Sequence, residues 1–335
     1  MGAEIKHIEY YFPKKVLTNN DLKLEFPDYD FSKFEDKIGI RNRYIASEEE
    51  TAMDLAIQSS EKLFEKFDRG LVDYIIYCTQ SPEYFLPTTA CILQDKLKLR
   101  KNIGALDFNL GCSGFTYGLG LAKSLINSKQ AKHVLLVTAE TYSKYLHPGD
   151  KSNRAIFGDA AASSIISFSD EELIKEFQFG TDGSGYDKLI VKNGASRAKY
   201  SEYADIKRYG SDNLYSDNNL YMNGPEIFNF TNEVIPNFIN DLLISNSLED
   251  EEINQYILHQ ANAFMLNTIR KKLKIHRERF FIDLLDGGNT VSCTIPIALK
   301  KYSQLNNGET QNVLLVGFGV GLSWSGGLVK IKSKL

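Results

Sequence analysis

Cys112, which lies between a β-like run and a stretch of small residues, has the type and position of a nucleophile. The run Asp107-Phe-Asn-Leu-Gly-Cys112 ends at this residue, and Ser-Gly-Phe-Thr-Tyr-Gly-Leu-Gly-Leu-Ala122 follows as an apolar helix pattern. Backbone N–H groups at a helix start carry partial positive charge, so the pattern predicts a lowered pKa for the thiol. Gly111 and Gly114 permit a sharp turn and a close approach of substrate to the backbone. A buried structural cysteine produces the same local pattern, so this stretch alone does not decide between the two.

Two further polar residues, His259 and Asn289, also follow apolar runs and precede helical patterns. Taken singly, each has an ordinary structural interpretation, as a hydrogen-bonded histidine at a strand end and as a helix-capping asparagine. The three residues together indicate one kind of chemistry more specifically than any of them does alone. An imidazole and a side-chain amide can both donate hydrogen bonds to a thioester or enolate oxygen, which is the stabilisation that carbon–carbon bond formation needs.

An internal sequence repeat predicts that these three residues lie close together in the fold. Val134-Leu-Leu-Val137 recurs as Val313-Leu-Leu-Val316, Tyr74-Ile-Ile-Tyr-Cys78 matches Gln255-Tyr-Ile-Leu-His259, and Leu106-Asp107 matches Ile282-Asp283, all at nearly the same spacing. Apolar runs, the predicted strand Phe280–Asp283 among them, alternate with helical patterns, which predicts an α/β fold. We therefore predict two similar halves, 1–170 with the cysteine and 171–335 with the histidine and asparagine, whose strand ends form one site.

The composition excludes several classes of protein. The 335 residues are 43% hydrophobic and 24% charged, with a net charge of −4, which gives no electrostatic case for binding nucleic acid or an anionic membrane. The four cysteines include no C-x-x-C pair, which is typical of a reducing compartment and argues against a zinc site. No signal peptide or run of eighteen apolar residues is present, so we expect a cytoplasmic protein without a membrane span.

Three less regular segments remain. The residues 180–220 are rich in polar and turn-forming types, and 26–43 is a second irregular segment. Two interpretations are open for both segments, the wall of a substrate tunnel and a plain surface insertion. The glycine-rich stretch Gly317-Phe-Gly-Val-Gly-Leu-Ser-Trp-Ser-Gly326 can supply backbone N–H donors beside the thiol. A dinucleotide loop is excluded there because no βαβ unit follows.

The chain resembles the β-ketoacyl-acyl-carrier-protein synthase III family of thiolase-fold condensing enzymes over essentially its whole length. The motifs that carry the resemblance are Cys112-Ser-Gly-Phe115, His259-Gln-Ala-Asn262 and Gly288-Asn-Thr290, together with Gly39-Ile-Arg-Asn-Arg43 and Ile156-Phe-Gly-Asp-Ala160. The resemblance implies two pseudo-symmetric βαβαβ-type halves in a layered α/β/α/β/α core. It also implies a homodimer that uses acyl-coenzyme A or acyl-carrier protein as substrates and needs no metal or redox cofactor.

The resemblance also implies roles for the site residues. Cys112 takes an acyl primer as a thioester, and its backbone N–H forms an oxyanion hole with that of Val320. His259 and Asn289 stabilise the enolate that forms when a malonyl-carrier-protein extender loses carbon dioxide. The enolate then attacks the acyl-enzyme.

The substrate positions that the resemblance assigns depart from the pattern of the housekeeping enzymes. They are Lys33 and Lys151 at the adenine, Lys37 near the pyrophosphate, Pro225 at the pantetheine, Phe264 after the histidine motif, and Leu86 in a loop that crosses the dimer. Met222 and Phe318 are further substrate-binding positions that the resemblance implies. Lysine cannot reproduce the planar stacking of tryptophan or arginine on adenine. We therefore expect coenzyme A to be recognised differently, with a carrier-protein-bound donor as the alternative, and a longer or branched primer to fit beside Leu86.

A basic helix segment with Arg270, Lys271 and Lys274 can dock an acidic carrier protein, although a solvated helix face has the same composition. A tailoring acyltransferase, which moves the acyl group to an oxygen or nitrogen acceptor, is the main alternative function. A hydroxymethylglutaryl-coenzyme A synthase is disfavoured because Gln80 stands where that family needs a glutamate base. A papain-like hydrolase and a non-catalytic relative are further alternatives.

Overall fold

The computed structural model describes residues 2–31 and 34–335. The strands are β1 (Gly2–Tyr11), β2 (Lys15–Thr18), β3 (Asn42–Ile45), β4 (Tyr74–Cys78), β5 (Gly104–Phe108), β6 (His133–Glu140), β7 (Ala160–Ser169), β8 (Ile174–Thr181), β9 (Leu189–Val191), β10 (Lys207–Tyr209), β11 (Asn213–Tyr215), β12 (Leu220–Met222), β13 (Gln255–Leu258), β14 (Asp286–Gly287), β15 (Gln311–Gly319) and β16 (Ser323–Ile331). The helices are α1 (Asn19–Glu25), α2 (Phe34–Ile38), α3 (Ala52–Phe64), α4 (Thr89–Lys96), α5 (Gly114–Asn127), α6 (Lys151–Arg154), α7 (Gly224–Ser245), α8 (Ala263–Lys272) and α9 (Thr294–Gln304).

Two main sheets have the same pattern of strand pairing. The first has the order β1-β7-β6-β4-β5, antiparallel at β1–β7 and β7–β6 and parallel at β6–β4 and β4–β5. The second has the order β8-β16-β15-β13, antiparallel at its first two pairs and parallel at β15–β13. The proposed boundary between the two halves, 170/171, falls in the connection between β7 and β8.

Helix α5 lies between the two sheets and carries the candidate cysteine at its start. It contacts β6, β4, β1 and β7 of the first sheet and β15, β16 and β8 of the second. Its three glycines and most of its apolar side chains are buried, as a helix between two sheets requires, while Leu121 is exposed. Helix α9 also contacts both sheets, while α3 and α4 cover the first sheet and α7 covers the second. The result is the layered α/β/α/β/α core.

Most of the predicted strands are present, with two corrections. Phe280–Asp283 is not a strand, because only one parallel bridge joins Phe280 to Tyr256. The segment 180–220 is not irregular throughout, since it contains β9, β10 and β11, and β12 ends just beyond it. Strands of three residues are too short to show an alternating pattern among glycines and polar residues. Similarly, the segment 26–43 contains α2 and the start of β3.

Candidate active site

Cys112 lies in the turn between β5 and α5 and is 5% exposed. The end of β15 packs directly on its side chain. A Cβ atom at Gly319 would come within 2.8 Å of the Cys112 Cβ and 2.9 Å of its Sγ, so that glycine makes room for the thiol. A Cβ at Gly111 would lie 2.6 Å from Gln80 Oε1 and 2.7 Å from Val320 Cγ1. The turn that carries Cys112 therefore lies between the loop after β4, which carries Gln80, and the end of β15, where Gly319 and Val320 lie.

Burial governs the protonation of this thiol. The net pKa of Cys112 is raised to about 12. Loss of hydration is the main cause and the nearby Glu140 carboxyl adds to it, while the backbone N–H groups of Cys112 and Val320 act in the opposite direction. The prediction that the helix start gives a lowered pKa is therefore wrong for the net effect. The two N–H donors that favour the thiolate are outweighed by desolvation, which disfavours any charge at a buried site. At neutral pH the resting residue is a thiol, and it needs a base to become a nucleophile.

His259 supplies a base beside it. The ring follows β13 and is 2% exposed, and burial lowers its pKa to about 3, so it is neutral in the resting protein. Its Nδ1 lies 2.8 Å from Thr294 Oγ1, and the Thr294 hydroxyl donates to the Val291 carbonyl at 3.1 Å. With the hydroxyl proton used there, Thr294 Oγ1 accepts from Nδ1–H, which leaves the lone pair on Nε2.

This tautomer adds a condition to the donor role predicted for His259. The resting Nε2 accepts, so donation to a substrate oxygen requires that Nε2 first take up a proton. The reason is the position of Thr294 at the start of α9, which the sequence around His259 does not reveal. His259 becomes a donor at Nε2 only after it has taken a proton, and the buried Cys112 thiol on the same cavity can supply one.

Asn289 completes the group with its amide oriented. Its Oδ1 accepts the backbone N–H of Val291 at 2.9 Å, and its Nδ2 lies 3.5 Å from His259 Nε2. That distance is long for a hydrogen bond, so the N–H bonds of Nδ2 remain available to a ligand. The Asn289 backbone is fixed by hydrogen bonds with Ile156 and Gly158, each of 3.0 Å. The amide thus points its donor side at the histidine.

The three side chains line one cavity of about 380 Å³. Four of the predicted substrate residues line it as well, namely Met222, Pro225, Phe264 and Phe318. Phe264 is 58% exposed and stacks on Phe228 with ring centroids 5.5 Å apart. Among the residues that the structure describes, no lysine, arginine, aspartate or glutamate lines this cavity. It suits an uncharged, largely apolar ligand arm.

The other predicted substrate residues lie elsewhere. Lys37 is exposed on α2, next to Ile38, which does line the cavity. Lys151 starts α6, and its Nζ donates to the Asp212 carbonyl at 3.3 Å. Leu86 is 82% exposed and does not line the cavity. Lys33 lies outside the described residues.

The predicted docking residues lie at the end of α8. Lys271 and Lys274 are exposed, whereas Arg270 is partly buried and its Nη1 donates to the Ile275 carbonyl at 3.0 Å. The two lysines therefore offer positive charge to a partner, while the arginine guanidinium is engaged in closing the helix end.

Sequence reasoning missed Glu140, at the buried end of β6. Its carboxyl accepts from the Gln80 backbone at 3.1 Å, Ser81 Oγ at 3.2 Å and Ser292 Oγ at 2.9 Å. Burial raises its pKa to about 8. It joins the loop after β4 to the loop that follows Asn289. The signal was available, since an acid at the end of the apolar run His133–Thr138 needs buried partners.

A second cavity, of about 800 Å³, lies on the Val320 side of the cysteine turn. Gln80, Tyr142 and Glu83 line it together with Val320 and residues of the 180–220 segment. Leu189 lines both cavities. The interpretation of the 180–220 segment as the wall of a substrate tunnel therefore has a concrete place in the structure.

Two further observations concern the residues described. They include no group of three or more His, Cys, Asp or Glu side chains placed to hold a metal ion. No helix among them is both long and apolar enough to cross a membrane.

Comparisons with known proteins give consistent similarities. A family model described as 3-oxoacyl-[acyl-carrier-protein (ACP)] synthase III matches residues 106–183, and the model of that family's C-terminal part matches 243–331. A beta-ketoacyl-[acyl-carrier-protein] synthase III of Clostridium perfringens is 36% identical over 96% of this chain and 97% of that protein. A crystal structure of a 3-oxoacyl-(acyl-carrier-protein) synthase III has a TM-score of 0.96 at 44% identity, over 99% of this chain and 100% of the other. The 3-oxoacyl-(acyl-carrier protein) synthase of Burkholderia xenovorans has a TM-score of 0.91 at 33% identity, over 100% and 95%.

Proposed function

The chain belongs to the 3-oxoacyl-[acyl-carrier-protein] synthase III family, and from that membership we propose how its site residues carry out the reaction. The predicted family, the thiolase-like fold and the acyltransferase class are confirmed by these relatives. The protein is a condensing enzyme of the beta-ketoacyl synthase III type. The residue roles rest on the position of Cys112, His259 and Asn289, whose side chains line one cavity. The backbone N–H of Val320 also interacts with the Cys112 thiol.

The first half-reaction loads the acyl primer. The Cys112 thiol gives its proton to His259 Nε2, and Sγ attacks the carbonyl carbon of an acyl thioester. The N–H groups of Cys112 and Val320 stabilise the oxyanion of the tetrahedral intermediate. Collapse of that intermediate breaks the bond to the donor sulfur, which leaves as a thiol by taking the proton from His259 Nε2. The acyl group is now a thioester of Cys112.

The second half-reaction forms the carbon–carbon bond. A malonyl thioester loses carbon dioxide, and the enolate oxygen accepts from Asn289 Nδ2. Its negative charge favours the protonated form of His259, so Nε2 takes up a proton from solvent and donates to the same oxygen. The enolate carbon attacks the acyl carbonyl, and collapse of the new oxyanion expels Sγ, which recovers its proton from Nε2. The product is a 3-oxoacyl thioester, and the thiol and the neutral imidazole are restored. No metal or redox step is needed, so we propose that the enzyme is cofactor-independent.

The acyl donor is a coenzyme A or carrier-protein thioester. An apolar cavity lined by Met222 and Pro225 fits the pantetheine arm that both donors share, and Lys37 lies beside it for a phosphate. The exposed lysines at the C-terminal end of α8, Lys271 in its last turn and Lys274 just beyond it, suit an acidic carrier protein.

We also propose a cytoplasmic homodimer built from two copies of the two-half chain. Tyr84, Phe85 and Leu86 are 61%, 86% and 82% exposed, and such a run of apolar side chains is typical of a surface that another chain covers. Sedimentation of the purified chain would test the dimer, and a monomer at micromolar concentration would contradict it.

The proposed reaction is tested by intact mass spectrometry of the full chain. With acyl-coenzyme A or acyl-carrier protein, an acyl adduct is expected on the wild type and on Cys91→Ala, and none on Cys112→Ala. Cys91 is an exposed thiol on α4 and serves as the matched control. Malonyl-carrier protein should then release carbon dioxide and a 3-oxoacyl product, and Asn289→Ala should load but not condense. Absence of an adduct on Cys112 contradicts the proposal, and acyl transfer to an alcohol or amine without carbon dioxide release favours a tailoring acyltransferase.

A further inference from the structure

Gln80 is held rigidly beside the nucleophile although the proposed reaction does not use it. Its backbone N–H donates to the Glu140 carboxyl at 3.1 Å, and its carbonyl accepts from the Tyr145 hydroxyl at 2.8 Å. Its side-chain oxygen accepts from the Tyr142 hydroxyl. Three separate contacts thus fix one glutamine, which is more than the packing of a loop requires.

The Tyr142 hydroxyl also fixes which way the amide faces. Tyr142 is 3% exposed, so its hydroxyl needs a partner, and Gln80 Oε1 is the acceptor that it finds. The amide nitrogen then lies on the other side of the group. Within residues 2–31 and 34–335, no acceptor is hydrogen-bonded to Gln80 Nε2, which leaves two N–H bonds unused.

The unused donor belongs to the second cavity, close to the thiol. Gln80 lines that cavity together with Val320, whose backbone N–H acts on the Cys112 thiol. A Cβ at Gly111 would touch both Gln80 Oε1 and Val320 Cγ1, at 2.6 and 2.7 Å, so the amide lies against the residue that precedes the nucleophile. An acyl chain on Cys112 that enters this cavity would meet the Gln80 amide, which is one of its lining groups.

We propose that Gln80 selects acyl primers that carry a hydroxyl or keto oxygen near the thioester, by donating a hydrogen bond from Nε2 to that oxygen. This inference rests on the proposed function and names the substrate class of the same site. A primer ending in a carboxylate would also accept from an amide. Glu83 disfavours it, because this acidic side chain lines the same cavity and like charges repel.

This selection favours oxygenated primers and also disfavours plain alkyl primers. An alkyl chain offers no acceptor to Nε2 and shields it from solvent, so the donor is left without a hydrogen bond. A hydroxyl on the third carbon removes that penalty. A single neutral hydrogen bond of this kind changes a rate by about fivefold.

The test compares the loading of Cys112 from butanoyl-pantetheine and from 3-hydroxybutanoyl-pantetheine, followed by intact mass. Pantetheine thioesters are used because this arm is common to both possible donors. In the wild type, the hydroxylated primer should load about fivefold faster or more. Gln80→Leu keeps the approximate size and removes the amide, and it should bring the ratio of the two rates to about one.

The Tyr142→Phe variant gives a second route to the same answer. It leaves Gln80 in place but removes the hydroxyl that orients the amide, so the ratio should fall toward one. Each ratio is measured within one protein and is independent of the active fraction. Equal loading in the wild type, or an unchanged ratio in both variants, overturns this inference alone. Failure of both thioesters to load Cys112 overturns the proposed function and this inference with it.

Discussion

The Nδ1 atom of His259 lies 2.8 Å from the Oγ1 atom of Thr294, at the first residue of α9. The Thr294 hydroxyl proton is used by the Val291 carbonyl, so this contact sets the imidazole tautomer and places a lone pair on the cavity side. The chemical role of the histidine is therefore decided by a residue that itself does not line the active-site cavity.

Replacement of Thr294 by valine should reduce condensation. Without the oxygen acceptor, the proton can move to Nε2, and the ring can no longer accept the Cys112 proton in its resting form. We expect the rate of Cys112 acylation to fall by roughly 10- to 100-fold. The measurement is the acylation rate at saturating donor, with Thr294→Ser as the matched control that keeps the hydroxyl. Equal rates for Thr294→Val and the wild type would contradict the tautomer assignment.

The three central residues were predictable because each one follows an apolar run of the repeated half. Cys112, His259 and Asn289 stand at junctions between a buried run and a helix, and that pattern is local in sequence. The five-layered fold followed from the repeat and from the resemblance. The prediction of a strand at Phe280–Asp283 was wrong. An apolar run does not reveal whether another strand lies close enough to pair along its length, and here a single bridge forms.

Features that depend on distant contacts were not predictable. Thr294 contacts a histidine 35 positions earlier in the chain, and Glu140 contacts Gln80 and Ser292, which are 60 and 152 positions away. The sign of the pKa shift at Cys112 failed for the same reason. A helix start is a local feature, whereas burial between two sheets is set by the whole fold and dominates the thiol.

The alkylation of Cys112 should depend steeply on pH. Its pKa of about 12 lies above the usual thiol value, so the thiolate fraction rises about tenfold per pH unit through the neutral and mildly alkaline range. In the ligand-free protein, iodoacetamide should label the exposed Cys91 first and Cys112 slowly at pH 7. Peptide mapping after timed labelling from pH 6 to pH 10 measures both. A plateau of Cys112 labelling below pH 8 would refute the raised pKa.

Glu140 should make the folded protein less stable as the pH rises. Its folded pKa of about 8 lies above the ordinary value of 4.5. Its contribution to folding stability is therefore full below pH 4.5 and is lost as the pH rises toward 8. The loss amounts to about 3 to 5 kcal/mol over that range. Glu140→Gln removes this dependence on pH. The free energy of unfolding of the variant, relative to that of the wild type, should therefore increase between pH 5 and pH 8.

Urea denaturation at four pH values across that range measures the difference. Glu309→Gln is the control, because Glu309 is an exposed acid in the turn before β15. A constant difference between Glu140→Gln and the wild type would show that the buried carboxyl keeps the same charge in the folded and unfolded chains.

Gly319→Ala should abolish activity with little loss of structure. The added methyl group would lie 2.8 and 2.9 Å from the Cys112 Cβ and Sγ atoms, so the thiol must move away from the Val320 N–H. We expect acylation to fall by about 100-fold or more, since displaced oxyanion donors cost that much in related chemistry. Gly183→Ala is the matched control, because a Cβ there meets nothing within 4 Å. Full activity in Gly319→Ala would contradict the packing of β15 on the nucleophile.

Charge reversal on α8 should separate recognition of the carrier protein from chemistry at the thiol. Lys271 and Lys274 are exposed at its C-terminal end, whereas the cavity that holds Cys112 has no charged lining residue among those described. The double variant Lys271→Glu, Lys274→Glu should raise the KM for malonyl-carrier protein by about three- to tenfold, with an effect that shrinks at high salt. Acylation from a pantetheine thioester should stay at the wild-type rate, because that donor does not touch α8. Lys101→Glu, an exposed lysine before β5, controls for net charge. An equal rise in KM for that control would mean that overall charge, and not the end of α8, attracts the carrier protein.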